Sequence, residues 1–242
     1  RTRVNAIVNM NSFFNWLVSE KEILFNPMGA LELPKVPKRL PMHVMSIEEA
    51  EKVLLQPDLQ LANGIRDKAI LELLFATGMR RSEVVKLAVP EVNFDDETIF
   101  IKEGKGRKDR VIPATKRALF WLRQYQTQRP QAAAENFFLT DYGTQINECR
   151  LGFIVTTYIR KSGIDKTGGC LLFRHSVATW LLDAGCDLRY IQQFLGHTYL
   201  DTTQIYTHVS IAKLKEVHRR THPTAEYEKY LPVHIPADKL KA

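Results

Sequence analysis

Apolar positions first recur at helical spacing in VNAIVNMNSFFNWLVSEKEIL, residues 4–24, and predict one or two helices. The stretch that follows, NPMGALELPKVPKRLP, holds four prolines in sixteen residues with basic charges between them. Proline locks φ and disfavours helix in the residue before it, so an extended linker is expected over 34–41. Ser46, with Glu49 three positions on, forms a capping box and opens a helix through about Leu55. A second helix over 65–76 ends at Gly78, which can take the left-handed cap, and a third runs from about Ser82 to Leu87. The period then changes to alternation. EVNF, a turn at Asp95 and Asp96, TIFIKE, a turn containing GKGRKD, and RVIPA predict a three-strand meander. Helical patterns return over 115–128, 146–161, 175–184, 188–195, 202–206 and 211–219. The expected fold class is mainly α with a small antiparallel three-strand sheet (α+β).

The chain opens at Arg1, without methionine and already inside a helical pattern, which points to an upstream part of a longer protein. The expected organisation is therefore the end of a helical domain over 1–33, the linker over 34–41, a main domain over 42–220 and a tail over 221–242.

Composition sharpens this in three ways. Apolar residues make up 45% of the 242, enough for a proper core and against wholesale disorder. A net charge of +7 favours a polyanionic partner, nucleic acid before a membrane surface. The three cysteines, Cys149, Cys170 and Cys186, are odd in number and lie at no metal-like spacing, which suits a reducing compartment and argues against disulfides or a zinc site. No apolar run approaches the ~20 residues that span a bilayer.

Candidate chemistry lies in polar residues at element edges. Arg80 follows Gly78 in a turn between two helices, and Lys105 lies in a hairpin whose glycines allow close backbone approach. That hairpin is no Walker loop, since GxxxxGK[ST] is absent. Arg174 precedes the helix expected from His175, so it is expected at a helix N-terminus, where free N–H groups and the dipole favour an anion. His197 follows Gly196 in a turn, and Tyr206 comes after Asp201, Thr202 and Thr203, which cap a short helix. Each feature alone has a bland explanation: a surface arginine, a solvated turn, a packing tyrosine. Together they supply what phosphoryl transfer from a DNA backbone requires, namely a nucleophile, guanidinium forks for the non-bridging oxygens and an acid for the leaving oxygen. With the cations built in, no metal or other cofactor is needed.

The blocks ATGMRRSE, GKGRKDR, FRHSVATWLLDAG, DLRYIQQFLGH and LDTTQIYTHV resemble, in order, the signatures of the tyrosine recombinase (phage-type integrase) family, especially its Xer-like bacterial members, over roughly 40–220. The resemblance implies a site-specific recombinase with Tyr206 as the nucleophile that forms a 3′-phosphotyrosyl bond. It further implies that Arg80 and Arg174 clamp the scissile phosphate, that Lys105 protonates the leaving 5′-oxygen, and that His197 hydrogen-bonds the phosphate. Glu83 would orient Arg80, and His175 would be a supporting, structural residue. One position departs from the family: its second block usually reads HxxR, and here the histidine position holds Leu171, which can neither give nor take a proton. A slow enzyme is expected.

The resemblance also implies a C-shaped clamp around the duplex. Lys35, Lys38 and Arg39 in the linker would touch phosphates, and Arg81, Arg107, Lys108 and Arg110 would extend the DNA-binding surface. Double-stranded recombination sites would be bound by a homo-tetramer passing through a Holliday junction, with accessory DNA-bending proteins as further candidates and no membrane partner. The tail would dock on a neighbouring protomer. The setting would be the bacterial cytoplasm, at the nucleoid, for integration or excision of a mobile element or resolution of DNA multimers. Two alternatives are a type IB topoisomerase-like enzyme and a catalytically weakened DNA-binding relative.

Overall fold

The computed structural model describes residues 2–29, 31, 44–102, 109–132, 134–196 and 211–223. The chain divides into two compact units, Arg1–Met42 and His43–Ala242.

In the first unit, helix α1 (Thr2–Ser19) is followed by a turn in which Lys21 takes a φ of +63°. Asn26 closes this segment onto the helix, its amide donating to Asn11 Oδ1 and Asn15 Oδ1, both at 2.6 Å.

The second unit begins its first helix, α2 (Ile47–Leu54), with the expected capping box. The Glu49 N–H donates to Ser46 Oγ at 3.2 Å and the Ser46 N–H to Glu49 Oε2 at 2.7 Å. Helix α3 (Ala62–Thr77) is central, packed between α5 (Lys116–Gln128) and α7 (Cys170–Asp183), and residues 66–77 are buried on every side. A charge in such a helix must be paired. Glu72, 1% exposed, accordingly lies between Lys68 Nζ at 2.9 Å and Arg117 Nη2 at 2.8 Å, and Arg117 also reaches Glu51 at 2.7 Å.

Short helix α4 (Arg81–Lys86) leads through a 3-10 turn at Val89–Glu91 into the sheet: β1 (Val92–Asn93), β2 (Thr98–Ile101) and β3 (Arg110–Pro113), antiparallel in the order β1-β2-β3. The register pairs Ile99 with Ile112 and Ile101 with Arg110. Side chains two apart on a strand share a face. Arg110 therefore lies on the face of Ile99, Ile101 and Ile112, all buried, and its guanidinium turns inward. After α5 come α6 (Glu148–Lys161, capped by Asn147), α7, α8 (Leu188–Leu195, capped by Asp187) and α9 (Ile211–Thr221). The short helix expected over 202–206 lies outside the described residues.

The expectation for α7 needs correction. Its helix starts at Cys170 and not at His175, five residues earlier, behind Gly168 and Gly169, whose φ values of +138° and +53° only glycine adopts without strain. Cys170, Phe173 and Val177 then form one buried stripe at i, i+3 and i+7. Arg174 is thus the fifth residue of the helix and does not sit at its N-terminus.

Helix α9 docks on α3 through two buried histidines. His218 Nε2 donates to the Ala76 carbonyl at 3.2 Å and His222 Nε2 to the Phe75 carbonyl at 3.0 Å, with the two rings 4.8 Å apart. These carbonyls belong to the last turn of α3, where a helix cannot satisfy its own acceptors. Burial pushes the His218 imidazole down to about 4, and burial followed by the neighbouring His218 holds His222 well below its ordinary 6.5. Unfolded, both take up protons near 6.5, so the unfolded state binds more protons as pH falls and stability is lost between about 6.5 and about 4. For His218 alone the loss is on the order of 3 kcal/mol. Thermal midpoints measured across this range should fall steeply for the unsubstituted chain and less for His218→Gln, which keeps a donor without the titration. Equal slopes would show that other groups carry the acid sensitivity.

Candidate active site

Gly78 is where the site begins. It ends α3 in the left-handed conformation, φ +58°, and a Cβ there would lie 3.0 Å from Leu195 Cδ2 and 3.5 Å from Arg174 Cα. The bare backbone lets the ends of α3 and α8 meet against α7. Two residues later Arg80 caps α4, its N–H donating to Glu83 Oε2 at 2.8 Å and its Nη1 to Glu83 Oε1 at 2.7 Å. The other arm of Arg80, Nη2, donates to the Gly196 carbonyl at 2.5 Å.

Arg174, one of the few buried arginines, donates from Nη1 to the Gly78 carbonyl at 2.9 Å and from Nη2 to the Leu195 carbonyl at 2.5 Å. Burial first, then the positive charges of Arg80 and Arg110, push its guanidinium down to about 10, with Glu83 opposing them. It therefore stays charged at neutral pH. Arg110 completes the group. It meets Glu83 with both Nη atoms at 2.9 Å, and its Nε donates to the Phe194 carbonyl at 3.3 Å. Burial alone would raise the Glu83 carboxyl, but hydrogen bonds and charge from Arg110, then from Arg80, hold it below the ordinary carboxylate range. Glu83 is consequently a fixed anion and not a proton donor.

The structure thus brings together Arg80, Glu83 and Arg174 as expected, and Arg110 joins them, so that three guanidiniums surround one carboxylate. Such a cluster carries excess positive charge and unspent N–H donors, the chemistry of an oxyanion or phosphate site. Arg110 takes a different place from the one expected: its side chain is 12% exposed and engaged by Glu83, so it lies beneath the site and not on a DNA-facing surface. The signal was legible in the alternation of RVIP, where Arg110 shares parity with Ile112. Arg81 is half exposed and paired with Glu148 at 3.0 Å on the surface. Leu171 is 55% exposed, three residues before Arg174 on α7. His175 is half-buried, and burial followed by the charge of Arg174 lowers its imidazole below the ordinary value. Lys105, His197 and Tyr206 lie outside the described residues, as do Lys35, Lys38, Arg39, Arg107 and Lys108. Among the described residues no three His, Cys, Asp or Glu side chains are grouped to hold a metal ion.

Comparison with known proteins points the same way. Residues 44–213 match the phage integrase family. The chain is 45% identical over 222 residues to tyrosine recombinase XerC 2 of Ralstonia nicotianae, covering 90% of this chain but only 64% of that protein. It is 37% identical over 232 residues to tyrosine recombinase XerD of Listeria innocua, covering 93% and 77% of the two chains. In three dimensions it is similar to the XerH site-specific recombinase bound to a palindromic difH substrate in a post-cleavage complex, with a TM-score of 0.60 and 28% identity over 74% of this chain and 52% of that one.

Proposed function

The chain belongs to the phage integrase family, among the Xer-like tyrosine recombinases, enzymes that break and rejoin DNA, and on that footing we propose that it performs site-specific strand exchange through a 3′-phosphotyrosyl intermediate. The observation that carries this reading is the convergence of Arg80 and Arg174 on the α8 terminus, with their guanidiniums held by Glu83, Gly78, Leu195 and Gly196. Two oriented forks beside one another suit the two non-bridging oxygens of a phosphodiester.

In this reading the Tyr206 oxygen gives up its phenolic proton to solvent and attacks phosphorus, the bond from phosphorus to the 5′-oxygen breaks, and Lys105 delivers a proton to that leaving oxygen. A DNA strand keeps its 3′-phosphate on the tyrosine and frees a 5′-hydroxyl. The same groups run the step backwards when a 5′-hydroxyl from the partner duplex attacks. Arg80, Arg174 and His197 neutralise charge that builds on the phosphoryl oxygens, where oriented donors are most effective. Bond energy is conserved in the phosphotyrosine, so no nucleotide is consumed.

The substrate is double-stranded recombination DNA, and exchange between two sites calls for four protomers, with the segment over 225–242 linking neighbours. Lys35, Lys38, Arg39, Arg81, Arg107 and Lys108 supply the phosphate contacts of the clamp, and the protein works at the bacterial nucleoid. Among the described residues no helix is long and apolar enough to cross a membrane. The relatives are recombinases by name, which leaves the topoisomerase alternative without support.

A duplex nicked next to the cleavage position tests the reading, because the short 5′-end diffuses away and traps the covalent complex. The unsubstituted chain should give a protein–DNA adduct stable to denaturant, and Tyr206→Phe none. An adduct that survives in Tyr206→Phe would move the nucleophile elsewhere, and no adduct with any duplex would reduce the chain to a binding module.

A further inference from the structure

We propose that Arg110 is a positioning residue of the strand-transfer site, setting Arg80 through Glu83 and joining Arg80 and Arg174 in fixing the end of α8 from which His197 follows. The proposal rests on the recombinase reading. A helix leaves its final carbonyls without partners of its own, and its negative end attracts cations. At the end of α8 three successive carbonyls each receive one arginine. Phe194 accepts from Arg110 Nε at 3.3 Å, Leu195 from Arg174 Nη2 at 2.5 Å and Gly196 from Arg80 Nη2 at 2.5 Å. The three arginines come from β3, α7 and the turn before α4, so the α8 terminus is the point at which separate elements are locked together.

Three guanidiniums this close repel one another, and Glu83 is what holds two of them. Its Oε1 accepts from Arg80 Nη1 at 2.7 Å and from Arg110 Nη1 at 2.9 Å, and its Oε2 from the Arg80 backbone N–H at 2.8 Å and from Arg110 Nη2 at 2.9 Å. The bidentate fork of Arg110 fixes the plane of the carboxylate, which in turn fixes Arg80; a lysine ammonium is a point charge and cannot bond both oxygens in this way. Contact with Gly196 is just as close. That residue has φ +66°, and a Cβ on it would stand 2.9 Å from Arg110 Cζ, so the guanidinium lies against bare backbone one residue before His197. With the inward face of β3 imposing this direction, Arg110 acts on the reacting groups without meeting DNA.

The test uses the 242-residue chain and the nicked duplex. At saturating DNA, Arg110→Gln should slow covalent capture about 10²-fold, the loss expected when a reacting group is misplaced by about 1 Å. Arg110→Lys should recover only part of it. DNA affinity and its salt dependence should stay as in the unsubstituted chain, whereas a residue that touches a phosphate would lower the salt slope by about 1. Combining Arg110→Gln with Glu83→Gln should cost no more than the worse single change, because both act through one carboxylate. Hydrogen exchange in the free protein adds an arm that needs no cleavage: Arg110→Gln should lose amide protection over residues 193–196 and not within α5. Capture unchanged at saturation, or a lowered salt slope with capture intact, would overturn the proposal, and so would unaltered exchange at the α8 end. Absence of capture by the unsubstituted chain would instead strike the recombinase reading, leaving the exchange arm to judge Arg110. Should Arg110→Gln not fold, Arg110→Lys carries the same comparisons.

Discussion

Replacing Arg174 with glutamine is expected to lower covalent capture of a nicked duplex about 10³-fold at saturating DNA. Loss of one oriented donor at a developing oxyanion typically costs 10²–10³, and loss of an arginine at a transferring phosphoryl group about 10³–10⁵, so the two ranges meet near 10³. Arg174 belongs at that meeting point, because it is both charge and anchor. Its Nη atoms hold the Gly78 and Leu195 carbonyls, which keeps the remaining N–H groups in a fixed plane, and burial makes each of its interactions stronger than in water. Glutamine is shorter and neutral, so it leaves at least one of those carbonyls unsatisfied and presents no fork. Rapid-quench kinetics of adduct formation, with DNA well above the dissociation constant, separates this from weakened binding. A loss confined to affinity, with capture at saturation preserved, would make Arg174 a binding residue and remove it from the reaction.

The second large effect is a gain. Leu171→His is expected to speed capture about 10²-fold, the lower end of what a positioned general acid or base contributes. Positions 171 and 174 are three apart on α7, and residues so spaced are neighbours on one helix face. Leu171 is 55% exposed, so an imidazole can replace it without opening a cavity, and stability should stay within roughly 0.5 kcal/mol. The substituted enzyme should also acquire a rate profile that turns near the ordinary histidine range, absent from the unsubstituted chain. If capture neither quickens nor gains that dependence, residue 171 does not face the reacting phosphate, and the expectation of a slow enzyme loses its basis. A weakened relative and an active recombinase differ in this measurement: the first shows no adduct until histidine is restored, the second shows a slow one already.

Much of this molecule could be read from local pattern. Gly78 as the end of α3, the capping box at Ser46, the meander of three strands and the bounds of α8 all depend on residues close together in sequence, where glycine, capping side chains and apolar period act directly on the backbone. The choice of Arg80, Glu83 and Arg174 was legible for another reason: motif blocks keep the residues of one site at fixed positions along the chain, even though those positions are far apart.

The sequence by itself determined which side chains carry charge and which elements hold them. It did not determine where two of the three arginines point. Arg174 was expected at a helix N-terminus because the helical pattern reads from His175; the start at Cys170 depends on burial of Cys170 and Phe173 against neighbouring elements. Arg110 was expected on the DNA side because it extends the positive charge of the hairpin in the clamp that the resemblance implies; strand register against Ile101 and a carboxylate 27 residues away turned it inward. Only tertiary structure could decide either, since a guanidinium's partner is whichever acceptor the packed fold leaves without one, and here those acceptors are Glu83 and the last carbonyls of α8.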